Sequence, residues 1–227
     1  MNKKSKIWHW LAVALLSMIW GTSYILMKKG LRSFSPYQLA SLRILISCLC
    51  LLPFALRSIP KFNKSNFVSI LMIGFFGSGI PAILYPLAET RIDSSLTGML
   101  NTLSSAFTLL IGIVFYKRKA IRSQIAGVFL GFAGAAGLLY GGSLAFNYYG
   151  LFVVLATLMN GISNNEVSKV EGLKGLEITA LSFFVVSPFA LALLLGTDLH
   201  AVVLTPHWLL NFGYIAVLSV LGSAFAN

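Results

Sequence analysis

The sequence predicts an all-α, multi-spanning membrane protein: a bundle on a five-plus-five inverted-repeat plan with eight helices present. Three observations carry this. Eight apolar runs of bilayer length follow one another, charge is too sparse for a soluble surface, and the second half repeats features of the first. Hydrophobic residues make up 57% of the 227 positions and charged residues only 10%, with a mean hydropathy of +0.85. A soluble domain of this length covers its surface with far more charge.

The runs span 7–27, 36–56, 67–87, 94–116, 121–140, 148–168, 176–195 and 208–227. A helix rises about 1.5 Å per residue, so roughly 20 apolar residues cross a hydrocarbon core of about 30 Å. Lipid offers the backbone no hydrogen bonds, which makes each run a helix.

The first run follows Lys3, Lys4 and Lys6, as a signal peptide would. It has no small-x-small cleavage site, and bulky Trp20 and Tyr24 stand where one would fall, so it reads as an uncleaved helix. Trp20 and Tyr24, one turn apart, offer aromatic walls facing the interior. The second run carries Arg43 about seven residues from its outer end. A charge at a helix centre costs about 2.5–3.5 kcal/mol, relieved at this depth by snorkelling. A structural partner, Glu89 or Asp93, is expected for it. Cys48 and Cys50 lie two apart and point to different faces, which excludes a disulfide or metal pair between them.

The third run places Gly74, Gly77, Ser78, Pro81 and Tyr85 on one face. Pro81 removes a backbone donor and frees an upstream carbonyl, predicting a kink or gate, with Tyr85 placed to close the outer mouth. The fourth has a polar stripe, Ser94, Thr97, Asn101, Ser104, Ser105, Thr108 and Gly112, at helical three-and-four spacing. Such a stripe is either a packing seam of small and hydroxyl residues or the lining of a wet cavity in which Asn101 meets a solute. The fifth presents Gly127, Gly131 and Gly134, a small face for close packing within or between subunits. In the sixth, Asn160 and Asn164 are four apart, and the cost of unpartnered amides in hydrocarbon turns them toward the bundle or water. Asn165 and Glu166 follow near the end of the run and read as solvated, Glu166 also being a weaker candidate for proton coupling.

The last two runs are placed by repetition. Ser17, Gly21, Tyr24 and Lys28 recur 140 positions later as Thr157, Gly161, Asn164 and Ser168. Pro53-Phe54-Ala55-Leu56 recurs at 135 as Pro188-Phe189-Ala190-Leu191, and Gly77-Ser78 at 145 as Gly222-Ser223. The repeat unit is five helices, 1–142 and then 143–227, the second cut after its third helix. An odd unit enters the membrane inverted, a plan common among secondary transporters with a site near the bilayer midplane. Two full copies would need ten helices, so the chain reads either as a fragment or as a short form completed by a second copy.

The net charge of +11 is a topology signal. With a cytoplasmic N-terminus, twelve Lys and Arg lie on the inside and four on the outside, the bias that sets orientation. Both termini are then cytoplasmic, and nucleic acid is not a partner. No His/Cys/carboxylate cluster, phosphate loop or nucleophile–base arrangement appears, so no enzyme activity, cofactor or metal is expected.

The stretch Trp20-Gly21-Thr22-Ser23-Tyr24, with Phe34-Ser35-Pro36 and Leu42-Arg43, resembles the opening of the EamA-type drug/metabolite transporters. Ser94 through Asn101, Phe107-Thr108, Lys117-Arg118-Lys119 and Gly131-Phe132-Ala133-Gly134 resemble helices 4 and 5 of that family's first repeat. Ser105 stands where the family usually has a helix-breaking proline. The resemblance implies a secondary transporter of small organic metabolites such as amino acids. It leans toward export across a bacterial inner membrane by alternating access. A non-transporting binding or regulatory membrane protein is the alternative. The expected partners are a small-molecule substrate and the lipid bilayer, with either a homodimer or the missing C-terminal helices completing the bundle. Trp20, Tyr24, Tyr85, Asn101, Asn160 and Asn164 are the expected substrate-binding residues.

Overall fold

The computed structural model describes residues 3–140, 147–198, 202 and 207–224. Eight helices run through them: α1 (Lys3–Gly30), α2 (Pro36–Ser58), α3 (Phe67–Glu89), α4 (Ser94–Val114), α5 (Arg122–Tyr140), α6 (Gly150–Val167), α7 (Gly175–Leu195) and α8 (Trp208–Ala224). Each corresponds to one apolar run. The boundary expected between 142 and 143 lies outside the described residues, as do the side chains of Gly222 and Ser223.

Five helices, α2 to α5 and α7, are long and apolar enough to cross a membrane, and α8 has a shorter apolar stretch over Trp208–Val220. The chain is a multi-pass membrane protein. α6 is the polar member of the set, with Asn160, Asn164, Asn165 and Glu166 in its second half. It packs on α3 and α4, so its polar groups find partners inside the bundle.

Local sequence explains the helix ends and breaks. α2 starts where Ser35-Pro36-Tyr37-Gln38 forms a capping box: the Gln38 N–H donates to Ser35 Oγ and the Ser35 N–H to Gln38 Oε1, at 3.3 and 2.8 Å. Pro36 fits the first turn, where its missing N–H loses nothing. In α3 the turns Ile73–Gly79, just before Pro81, widen into a π-helix. Pro81 cannot donate to the carbonyl four residues back, and the wider turn accommodates that loss. α4 breaks at Thr102 although no proline lies within it. Hydroxyls hold the break: Thr102 Oγ1 donates to Met99 O at 2.7 Å and Ser105 Oγ to Thr102 O at 2.8 Å.

The principal core, including Met27, Leu39, Leu84, Leu100, Val153 and Ile215, joins α1, α2, α3, α4, α6 and α8. A second cluster of Ala40, Ile44, Ala82, Val186 and Ala190 locks α2 and α3 onto α7. Glycines let helices touch. A Cβ on Gly161 would lie 2.9 Å from the Phe107 backbone, and one on Gly74 the same distance from Ser182 O. α5 is peripheral, held to α4 through Phe132 edge-on to Phe107 with ring centres 5.0 Å apart. Its Gly127, Gly131 and Gly134 meet nothing within 4 Å, so the expected close packing does not occur on this face within the described chain.

The α2–α3, α4–α5 and α6–α7 connections share one end of the bundle and carry Lys61, Lys117, Arg118, Lys119, Lys169 and Lys174. This is the basic end. The α1–α2 and α3–α4 connections form the far end.

Candidate functional site

A cavity of about 910 Å3 lies between α1, α2, α3, α4, α6 and α7. Trp20, Tyr24, Tyr85, Asn101, Asn160 and Asn164 all line it. α1 contributes Trp20 and Tyr24, α3 Tyr85, α4 Asn101, and α6 the two remaining asparagines. The helical spacing of small and polar residues is what turns these faces inward.

Three of the six are joined. The Asn160 amide donates to Tyr85 Oη at 2.9 Å, and the Tyr85 hydroxyl donates to Asn101 Oδ1 at 2.5 Å. The chain of bonds ties α6 to α3 to α4, with the Tyr24 ring edge-on to Tyr85 at 6.0 Å. Tyr85 and Asn101 are both buried. Lys28 fastens α1 beyond them, its Nζ donating to Glu89 O and Ile92 O at 2.6 and 2.7 Å. The far end of the cavity is thus closed by hydrogen bonds and edge-on rings. Asn164 stands apart, exposed and donating to Thr108 Oγ1 at 3.1 Å. Trp20 is 54% exposed while forming part of the wall.

The α4 stripe serves both purposes weighed for it. Asn101 and Ser104 face the cavity, while Thr97 is buried and turns its hydroxyl to Asp93 O. Ser94 Oγ donates to Tyr24 O at 3.2 Å across the α1–α4 seam.

Two expectations on α6 need correction. Asn165 and Glu166 are buried, not solvated. Asn165 Nδ2 donates to Thr108 O and Gly161 O, each at 2.8 Å. The Glu166 carboxylate accepts from Ser69 Oγ at 2.8 Å, from Lys169 Nζ at 2.8 Å and, in a short bond, from Tyr116. These partners fix it at the junction of α3, α4 and α6. Hydrogen bonding to Glu166 holds the Lys169 ammonium above its ordinary range, and that ammonium also lies 4.4 Å from the Tyr116 ring centre. A carboxylate held by three donors is a structural clasp.

Arg43 also departs from its expectation. The ion pairs formed among the described residues are Lys61–Glu177 and Lys169–Glu166. Neither Glu89 nor Asp93 pairs with Arg43, which instead lines the cavity. Depth along α2 was readable in the sequence. The direction of the side chain was not, because it depends on how α2 rotates against α3 and α7.

The sequence profile of the EamA-like transporter family matches residues 7–140. The chain belongs to that family. It is 24% identical over 148 residues to an uncharacterized transporter of Archaeoglobus fulgidus, covering 65% of this chain and 52% of that one. A second uncharacterized transporter of the same organism is 30% identical over 148 residues, 64% of this chain and 49% of the other. The uncharacterized inner membrane transporter YedA of Escherichia coli is 25% identical over 150 residues, 63% and 47% of the two chains. The chain spans about half the length of these curated relatives. As a member of the EamA-like family, it places its cavity largely between helices of the matched segment, with α6 and α7 supplying the opposite wall.

Proposed function

We propose that this EamA-like chain serves secondary transport of small organic metabolites, such as amino acids, across a bacterial inner membrane by alternating access. Export is the direction we favour. The carrying observation is the cavity: aromatic walls and amide groups from α1, α3, α4 and α6 converge on one space closed at the far end. Pockets for small organic molecules are mostly apolar with a few placed polar groups, and this lining fits. The basic end is the cytoplasmic side on the positive-inside rule, and both termini are cytoplasmic. The inner membrane is also where the Escherichia coli relative's name places that protein.

Two inverted repeats, 1–142 and 143–227, supply the moving parts. Helix contacts support the pairing of α1 with α6, α2 with α7 and α3 with α8. α1 packs on α8 as α6 packs on α3, and α2 packs on α8 as α7 packs on α3. Residue contacts follow the same rule. Ser47 Oγ donates to Ser219 O at 3.1 Å, and shifting these positions by 135 and 145 gives Ser182 and Gly74, which also touch.

Cysteine substitution tests the site. In a C48A/C50A background, cysteines at Trp20, Asn101 and Asn160 should react with a water-soluble maleimide, and substrate should protect them. Cysteines at Leu100 and Val154 should stay unreactive. Equal labelling of both sets would make the polar faces packing seams and overturn the site. Uptake or efflux in vesicles carrying the chain separates transport from binding alone.

A further inference from the structure

We propose that Arg43 anchors the carboxylate of the solute, so that the cavity selects small carboxylate-bearing metabolites; this rests on the cavity being the substrate site. Arg43 lies in the wall beside Tyr24 and Tyr85. Its guanidinium has no hydrogen bond and no ion pair among the described residues. Five N–H donors and a full charge set in a membrane interior are costly without an acceptor.

The neighbouring charges define what that acceptor is. Tyr24, Tyr85 and Glu89 are the titratable groups within electrostatic reach of Arg43, and Lys28 in turn faces Glu89. Lys28 is committed to the carbonyls of Glu89 and Ile92. Glu89 is fully buried, does not line the cavity, and has the Ser94 hydroxyl beside its carboxyl. Within this coupled set two cations, Arg43 and Lys28, face the single carboxyl of Glu89, one negative charge short of balance. A single carboxylate in the cavity supplies it, and the planar guanidinium matches that group bidentately. The Tyr85 hydroxyl is occupied by Asn101 and Asn160, whereas the Tyr24 hydroxyl makes no hydrogen bond among the described residues and can add a third donor. Trp20 then offers apolar surface to the rest of the solute.

The test uses the full chain in detergent with a reporter cysteine, S104C, in the C48A/C50A background. Its maleimide labelling is followed against three probes of one shape: L-phenylalanine, 3-phenylpropionate and phenethylamine. Both carboxylates should protect, and the amine should need at least about tenfold more, the scale of a lost hydrogen bond to a charged group. R43Q should abolish this preference and leave the amine unchanged, R43K should keep part of it, and E89Q should retain it. Equal protection by amine and carboxylates in the parent would overturn the anchor and leave the cavity reading intact. Protection by none of the three would overturn both. Loss of the preference in E89Q to the same extent as in R43Q would make Arg43 half of a structural pair and refute the assignment. Should R43Q fail to fold, the comparison of probes on the parent still decides.

Discussion

Replacing Tyr85 with phenylalanine removes one hydroxyl and two interhelical hydrogen bonds while keeping the ring against Tyr24. The hydroxyl donates to Asn101 and accepts from Asn160, so one oxygen joins α3 to α4 and to α6. Side-chain hydrogen bonds between membrane helices average about 0.6 kcal/mol and reach about 1.7. Two of them give a loss of about 1–3 kcal/mol. The upper half of that range is the better expectation, because Asn101 is buried and its carbonyl would be left without this donor. Unfolding in mixed micelles with increasing denaturing detergent measures the loss. A double-mutant cycle with N160A isolates one bond and should return a coupling of about 0.6–1.7 kcal/mol. The transport reading adds a second consequence. If the far end opens during the cycle, Y85F should weaken its closure and raise labelling of a cysteine at Ser78 or Tyr24 from that side. A coupling of zero, with unchanged stability, would show that the bonds do not join the helices in the membrane and would refute the closure.

G161A should destabilise by about 1–3 kcal/mol, since the new methyl meets the α4 backbone, which cannot step aside as a side chain would. By the same reasoning G127A and G131A should be neutral or slightly stabilising in the same assay, their Cβ positions being open and alanine the better helix former. E166A should cost clearly more than K169A: the carboxylate is buried under three donors, while the Lys169 side chain is 53% exposed and its ion pair is worth at most about 1 kcal/mol. Equal losses would assign the clasp to the ion pair. A reporter fused after Asn147 should be extracytoplasmic and one after Lys119 cytoplasmic; the reverse would invert the orientation.

Helix number and order were legible because the bilayer imposes its thickness on every span. Each apolar run had to become a helix, whereas the pairing of helices is not sequential, α1 packing on α8 and α2 on α7. What the runs could not display is where a helix deforms. The break at Thr102 arises without a proline, through hydroxyls that can just as well decorate an intact helix. The π-turn at Ile73–Gly79 sits upstream of Pro81, at a place the proline suggests but does not specify. Gly127, Gly131 and Gly134 show the same limit from the other side, since their spacing matches a packing seam and α5 turns it outward.

The polar residues divide by a related logic. Helical spacing reports that a group faces inward, and it brought Tyr85, Asn101 and Asn160 to one place. It does not report whether an inward group meets another helix or open space. Asn164 and Asn165 are adjacent in sequence, yet one lines the cavity and the other is buried against Thr108 O. Glu166 and Glu89 reverse the order that sequence suggested. The carboxylate considered for coupling is pinned by Ser69, Tyr116 and Lys169, and the one taken as a partner for Arg43 forms no ion pair with it. Both outcomes follow from helix rotation, an angle fixed by packing against several neighbours at once. A charge in the membrane is therefore best judged by counting its donors and acceptors once the bundle is assembled. On that count Arg43 remains unbalanced at the wall of the cavity, and a carboxylate ligand would balance it.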